Sequence, residues 1–222
     1  ISIPKEHGYD VVNAIRAMRK GDVDIFFCMG GNFISATPDT HATAEGLRKV
    51  GLTVQVSTKL NRSHLVTGEQ AIILPCLGRT ELDIQADIAQ FVTVENSMGI
   101  VHQSRGGLQP ASKELRSEPW IVANLASNLF TESPIKWLEL SENYDHIRDL
   151  MERSLSGFDN YNERVRNANG FLLPNPPRDS RTFSTPSGKA HFTTHPLPNV
   201  TVGNDRFVMM TIRSHDQYNT TI

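Results

Sequence analysis

Apolar and polar positions along the first third of the chain follow two alternating periods. From Tyr9 to Lys20, Val11, Ile15 and Met18 recur at helical spacing with charged residues between them, which predicts an amphipathic helix. After Gly21, Val23-Asp24-Ile25-Phe26-Phe27-Cys28-Met29 reads as a buried strand that runs into Gly30-Gly31-Asn32. Thr37 has the chemistry of an N-cap, with Pro38 at the first helical position and Asp39 in the first turn. The helix it opens is expected to reach about Val50, with Gly51 as its C′ residue. Leu52-Thr53-Val54-Gln55-Val56-Ser57 is a second strand and Ala71-Ile72-Ile73-Leu74-Pro75 a third. Strands separated by helices at this spacing predict a parallel sheet with crossover helices.

Beyond Pro75 the pattern changes. Phe91-Val92-Thr93-Val94-Glu95 and Gly99-Ile100-Val101-His102-Gln103 flank a short polar turn and predict a hairpin. Pro119 opens a helix through Ile121, Leu125 and Leu129. Another spans about Glu142–Leu155, with Ile147, Leu150, Met151 and Leu155 inward and Gly157 at its end. Residues 166–205 are rich in Pro, Asn, Gly and Ser and read as an irregular connector. Arg206-Phe207-Val208-Met209-Met210-Thr211-Ile212 then reads as the first strand of a new, β-rich domain. The expected fold is therefore α/β. A Rossmann-like parallel sheet with flanking helices occupies 1–165, the connector 166–205 and the start of a C-terminal domain 206–222.

Composition narrows the function classes. The 222 residues carry a net charge of -2, so no basic field points to nucleic acid, and 38% hydrophobic content supports a real core. No apolar run approaches the roughly 20 residues of a membrane span. Residues 1–20 lack the compact apolar block of a signal peptide. Two cysteines, Cys28 and Cys76, with no CxxC, read as buried free thiols of a reducing, cytoplasmic compartment, with a structural pair as the alternative. The chain opens on Ile1 and closes on Thr220-Thr221-Ile222 within an apparent strand and turn, which reads as a piece of a larger protein.

The candidate chemistry clusters at strand ends. Glycines after a buried strand admit close backbone approach, and a following helix N-terminus offers N–H groups to an anion. Gly30-Gly31-Asn32 fits that description, although a tight turn without ligand fits the same spacing. It is neither a Walker loop nor GxGxxG. Ser57-Thr58-Lys59 closes the second strand, at the edge where parallel sheets hold ligands, and a solvated loop is the plain alternative. Asn61-Arg62-Ser63-His64 adds polar groups, with His64 read as a surface or hydrogen-bonding histidine. His102 and Arg105 fit an anion contact or an ordinary hairpin exit. Glu81, Asp83 and the acids of Glu139–Asp149 read as solvated helix faces. Arg213-Ser214-His215-Asp216-Gln217-Tyr218-Asn219-Thr220 concentrates hydrogen-bonding groups after the last strand. No carboxylate dyad, nucleophile triad or metal-ligand cluster emerges, so no residue is assigned a catalytic or metal-binding role.

Taken in order, five segments resemble the molybdopterin oxidoreductases that bind a bis-(molybdopterin guanine dinucleotide) cofactor, with formate-dehydrogenase-like alpha subunits as the nearest branch. Phe27-Cys28-Met29-Gly30-Gly31-Asn32 resembles the family's strand-Gly-x-Asn, with Phe33 replacing the usual Pro. Asn61–Pro75 resembles its helix-then-VVLP segment. Thr93–Val101 resembles T-x-x-N-x-x-G-R-V, with Ile100 for Arg. Thr185-Pro186-Ser187-Gly188-Lys189-Ala190 resembles TPSGKAEF, with His191 for Glu, and Thr211–Thr220 resembles the opening of the C-terminal cofactor domain.

The resemblance implies that Gly30, Gly31 and Asn32 face the guanine dinucleotide. It places Ser57 and Thr58 where many relatives carry a guanine-reading acid, which leaves a ribose or phosphate contact. Arg213, Ser214, His215, Gln217 and Asn219 would reach the pterin or its phosphates. The family's Fe–S cysteines and molybdenum ligand have no counterpart here, so a 4Fe-4S cluster and the metal ligand would lie upstream in a parent enzyme. That parent would act on a small-molecule substrate and pass electrons to a transfer partner, and this piece alone would be inactive. A non-redox nucleotide-binding or scaffold module with the same fold is the alternative.

Overall fold

The computed structural model describes residues 7–210. Helix α1 (Val11–Lys20) starts where Asp10 accepts a hydrogen bond from the Asn13 N–H at 2.8 Å. Its Ile15, Ala17 and Met18 are buried. Strands β1 (Ile25–Met29), β2 (Leu52–Ser57) and β3 (Gln70–Pro75) form a parallel sheet in the order β1-β2-β3. The register aligns Phe27 with Val54 and Val54 with Ile72. Central β2, flanked by β1 and β3, is the buried strand.

One core forms from Met18, Ile34, Leu47 and Val50, against which Phe26, Phe33, Ala44 and Val66 pack. Leu47 and Val50 are 1% and 0% exposed, and burial of each contributes about 2 kcal/mol on transfer from water. Gly46 lets α1 approach, because a Cβ there would lie 3.0 Å from the Met18 Cβ. On the sheet's other face Ile25, Phe27 and Met29 remain exposed, as does Ile72.

The segment after Gly31 differs from expectation. A single turn, α2 (Phe33–Ala36), comes first, and α3 (Thr40–Leu47) follows. Asp39, not Thr37, caps α3, accepting from the Ala42 N–H at 2.9 Å. Thr37 closes α2 instead, and its buried hydroxyl meets Thr43 Oγ1 at 2.7 Å and the Ile34 carbonyl at 3.2 Å. Helix α3 stops at Leu47 in a tightening turn, so Gly51 is not its C′ residue.

The second part of the chain builds a separate core. Short strands β4 (Ile84–Gln85) and β5 (Ile88–Ala89) pair with each other. The expected hairpin is β6 (Val92–Glu95) with β7 (Ile100–Ser104), and β8 (Phe171–Leu172), inside the stretch read as connector, joins it beyond β7. Helices α4 (Glu118–Leu129), α5 (Trp137–Glu142), α6 (Tyr144–Ser154) and α7 (Tyr161–Arg164) pack in succession, with α6 and α7 reaching the sheet's core, and a turn α8 (Pro176–Ser180) follows. Phe91, Val101, Tyr161, Val165 and Phe171 form the core, with Tyr161 and Phe171 edge-on at 5.6 Å.

Two helix faces depart from the apolar pattern, and one expected strand does not form. In α4 the buried residues are Ala123 and Ala126, while Leu125 and Leu129 are exposed. The predicted Glu142–Leu155 helix is divided at Asn143, which caps α6, and its buried positions are Tyr144 and Arg148, while Leu150 and Leu155 are exposed. Residues 206–210 form no strand, and no strand lies beside them among the described residues to supply a ladder.

Buried Arg148 organises this half. Its guanidinium donates to Asn162 Oδ1 at 2.7 Å, to the Phe91 carbonyl at 3.1 Å and to Asp145, and lies 4.0 Å above the Phe91 ring. Arg166 holds the other Asp145 oxygen at 2.6 Å. Asp145 is therefore not a solvated face residue. Burial acts to raise its pKa, but the hydrogen bonds and charges of Arg148 and Arg166 outweigh that and hold it below the ordinary carboxylate value.

In the first half, the single 3-10 turn Arg62–Leu65 braces the Gly30–Asn32 turn. Ser63 Oγ accepts from the buried Ile34 N–H at 3.1 Å and donates to Asn32 Oδ1 at 3.2 Å, and Gln55 donates to the Ser63 carbonyl at 2.8 Å.

Two outcomes follow from these contacts. Ser63→Ala strands the Ile34 N–H and should cost about 1–3 kcal/mol in denaturant unfolding, with faster hydrogen exchange at the Ile34 amide. The depressed Asp145 pKa contributes stability that is present at neutral pH and lost as pH falls through the folded-state value. Asp145→Asn should therefore lower stability at neutral pH and flatten its decline below about pH 4, read from unfolding midpoints across pH.

Candidate functional site

Parallel pairing brings the ends of β1 and β2 side by side. The Gly30 N–H donates to the Val56 carbonyl at 2.8 Å, so Gly30-Gly31-Asn32 lies against Ser57 and Thr58. Those five predicted residues form one edge. Gly30 and Gly31 both have left-handed backbone, at φ +68° and +75°, which an L side chain adopts only with strain. Nothing lies within 4 Å of a Cβ placed on Gly31, so the space beside the turn is open.

The helix N-terminus expected to receive an anion is not available in that role. The Asp39 carboxylate already occupies the first turn of α3, and α2 is one turn long. Polar side chains take over the edge. Asn32 makes no capping bond to α2 and turns to Ser63 instead. Asn61 Nδ2 donates to the Gly31 carbonyl at 2.9 Å. His64 is buried, accepts from the Asn61 N–H through Nδ1 at 2.9 Å, and meets Ser57 Oγ through Nε2 at 3.0 Å. The sequence marked Asn61–His64 only as nearby polar groups. Its N-x-x-H capping-box spacing was the signal that could have identified the brace.

A cleft of about 790 Å³ adjoins this edge. Thr58 and Lys59 form one wall, and Arg79, Glu81, Ser104 and Glu118 contribute to the others. Glu118 Oε1 lies 4.0 Å from a Cβ built on Gly30, which links cleft and turn. Arg79 donates to Ser104 Oγ at 3.0 Å.

Glu81 and Asp83 are not on a helix. Glu81 accepts from the Gly78 N–H at 2.5 Å and the Ala111 N–H at 2.9 Å, and these backbone bonds lower its pKa. Asp83 accepts from the Tyr144 hydroxyl at 2.5 Å; burial first, and then this bond, push the tyrosine pKa far up. Both carboxylates pin loops.

The remaining candidates are not at this edge. His102 lies on β7 opposite Val94, and the Arg105 guanidinium sits 5.5 Å from the Phe91 ring. Cys28 and Cys76 are both free, but only Cys76 is fully buried as expected, and Cys28 is half-buried; burial raises the Cys28 pKa, and burial with the Glu118 and Glu81 charges brings Cys76 to about 11. Arg213, Ser214, His215, Gln217 and Asn219 lie outside the described residues. Among the described residues no group of three or more His, Cys, Asp or Glu is placed to hold a metal ion, and no helix is long and apolar enough to cross a membrane.

No family model matches the chain. An uncharacterized oxidoreductase of Mycobacterium tuberculosis (strain H37Rv) is 54% identical over 223 residues, covering 100% of this chain. Protein YdeP of Escherichia coli (strain K12) is 46% identical over 222 residues, covering 99% of it. A nitrate reductase of Klebsiella oxytoca is 27% identical over 164 residues, covering 73% of this chain and 17% of the reductase. The chain spans 29% of the length of the mycobacterial and Escherichia coli relatives. The chain is thus similar throughout to part of a longer protein named as an oxidoreductase.

Proposed function

We propose that this chain is a cofactor-binding part of a molybdenum-dependent oxidoreductase and holds the guanine dinucleotide portion of a bis-(molybdopterin guanine dinucleotide) cofactor. The observation that carries the reading is the joint edge of Gly30-Gly31-Asn32 and Ser57-Thr58 at the carboxyl ends of two parallel strands, where α/β sheets take nucleotides. The oxidoreductase name of the mycobacterial relative and the more distant likeness to a nitrate reductase support it.

The residues present fit the nucleotide end of such a group. Open space beside Gly31 admits a ligand against bare backbone, and Asn32 and Ser57 supply polar contacts at that point. The cofactor, when bound, supplies the two-electron chemistry at its metal, and the protein supplies binding and orientation. Here that contribution is a rigid edge: the Arg62–Leu65 turn fixes Asn32 and Ser57 before any ligand arrives, which limits the ordering cost of binding. Metal ligation, a 4Fe-4S cluster and an electron-transfer partner belong, in this reading, to other parts of the parent enzyme. Formate is the substrate class that the resemblance favours.

The full-length protein purified from molybdenum-replete cells should contain molybdenum by metal analysis and a pterin dinucleotide by fluorescence after oxidation. Finding neither would overturn the proposal and leave a non-redox nucleotide-binding or scaffold module as the account of the fold.

A further inference from the structure

A second groove adjoins the cleft and belongs to neither half's core. Leu77, Asp83 and Gln109 line both cavities, and the groove holds about 520 Å³, a volume that small ligands occupy. Its apolar walls are Leu77, Leu82, Ile84, Pro110, Leu115 and Trp120. None of the five residues at the β1–β2 edge lines it, so it is distinct from the site proposed above.

The charged groups of this groove are unevenly matched. Lys113 and Arg116 line it, against one carboxylate, Asp83. Asp83 is already engaged, by the Tyr144 hydroxyl at 2.5 Å on one oxygen and by Gln85 Nε2 at 2.6 Å on the other. Glu114 and Glu118 neighbour Arg116 in sequence but do not line the groove. Arg116 is half-buried and forms no ion pair among the described residues. Its Nη1 donates to the Lys113 carbonyl at 2.9 Å and the Leu115 carbonyl at 3.0 Å, and its guanidinium lies 5.4 Å from the Trp120 ring centre. Those contacts hold the group while Nε and Nη2, the pair that meets a carboxylate side-on, have no partner among the described residues. Strain marks the same wall. The β4–β5 hairpin turns through Ala86 and Asp87, both at positive φ, +46° and +63°, where such turns ordinarily place glycine or asparagine. Strained positions of this kind cluster at ligand clamps, and β4 supplies Ile84 and Gln85 to the groove.

We propose that this groove binds a small amphipathic monocarboxylate. The carboxylate meets Arg116 through Nε and Nη2, exposed Lys113 adds a second cation, and the apolar body lies against Leu82, Ile84 and Leu115. One charge suits the site: a dianionic phosphate would set its second charge against apolar walls that cannot solvate it. The proposal does not depend on the cofactor reading, because the two sites share no ligand-facing residue.

The test titrates the full-length protein calorimetrically with phenylpropionate, using phenylpropanol as the uncharged body and acetate as the bare head. Phenylpropionate should bind, and each control should bind about tenfold or more weakly. Arg116→Gln should weaken phenylpropionate about tenfold or more. Arg116→Lys keeps the charge but loses the fork, and should weaken it about threefold to tenfold. Ile84→Asp places a carboxylate on the wall at a side chain 57% exposed. It should weaken phenylpropionate about tenfold with an unchanged melting temperature, which keeps the test alive if the Arg116 variants do not fold. Equal binding of phenylpropanol and phenylpropionate would overturn the proposal. So would the absence of phenylpropionate binding, or binding that Ile84→Asp and Arg116→Gln leave unchanged.

Discussion

The parallel pairing of β1 with β2, carried past the strands by the Gly30 N–H bond to the Val56 carbonyl, is the constraint on which the site depends. It places a left-handed glycine turn beside the buried end of β2, two features 26 residues apart in sequence. Neither could form an edge alone. Neighbours hold the turn at several points: Asn61 on the Gly31 carbonyl, Ser63 on Asn32 and on the Ile34 amide. All of those contacts come from one 3-10 turn and its N-cap Asn61 in the β2–β3 connection, so the crossover does more than return the chain to the sheet.

The other half depends on a different solution to burial. A guanidinium 4% exposed would be costly unpaired, but each face of Arg148 is used, by an aromatic ring, a carboxylate, an amide and a backbone carbonyl. Phe91 has Arg105, Arg148 and Arg166 around its ring at 5.5, 4.0 and 5.3 Å, so a single aromatic joins the hairpin to α6 and to the segment after α7. Tyr144, bonded to Asp83 and Ser117, joins α6 to the cleft wall in the same way.

Much of the fold was legible because it rests on local pattern. Strand β2 was readable from Leu52 to Ser57, and the hairpin from its alternation around Asn96–Gly99. The misreadings share a cause. Leu150 and Leu155 looked like core positions because hydrophobicity was counted and partners were not; α6 buries Tyr144 and Arg148 instead. Thr37 looked like a cap because Pro38 follows it, yet its hydroxyl has a buried partner in Thr43 and Asp39 has the carboxylate that the first turn of α3 prefers. Of the candidate site, five residues converge, while His64 and Ser63 were legible only as polar neighbours.

By itself the sequence determined the element types, the parallel order implied by strand–helix alternation and the position of the glycine turn. These depend on periodicity and on backbone freedom, which are properties of neighbouring residues. Only the tertiary structure decided which side chains brace the edge. Asn32 is held by Ser63, and His64 Nδ1 accepts from the Asn61 N–H. Those partners lie 31 residues away for Asn32 and three for His64. A hydrogen bond's direction is set by both of its ends, and a linear sequence names the ends without joining them.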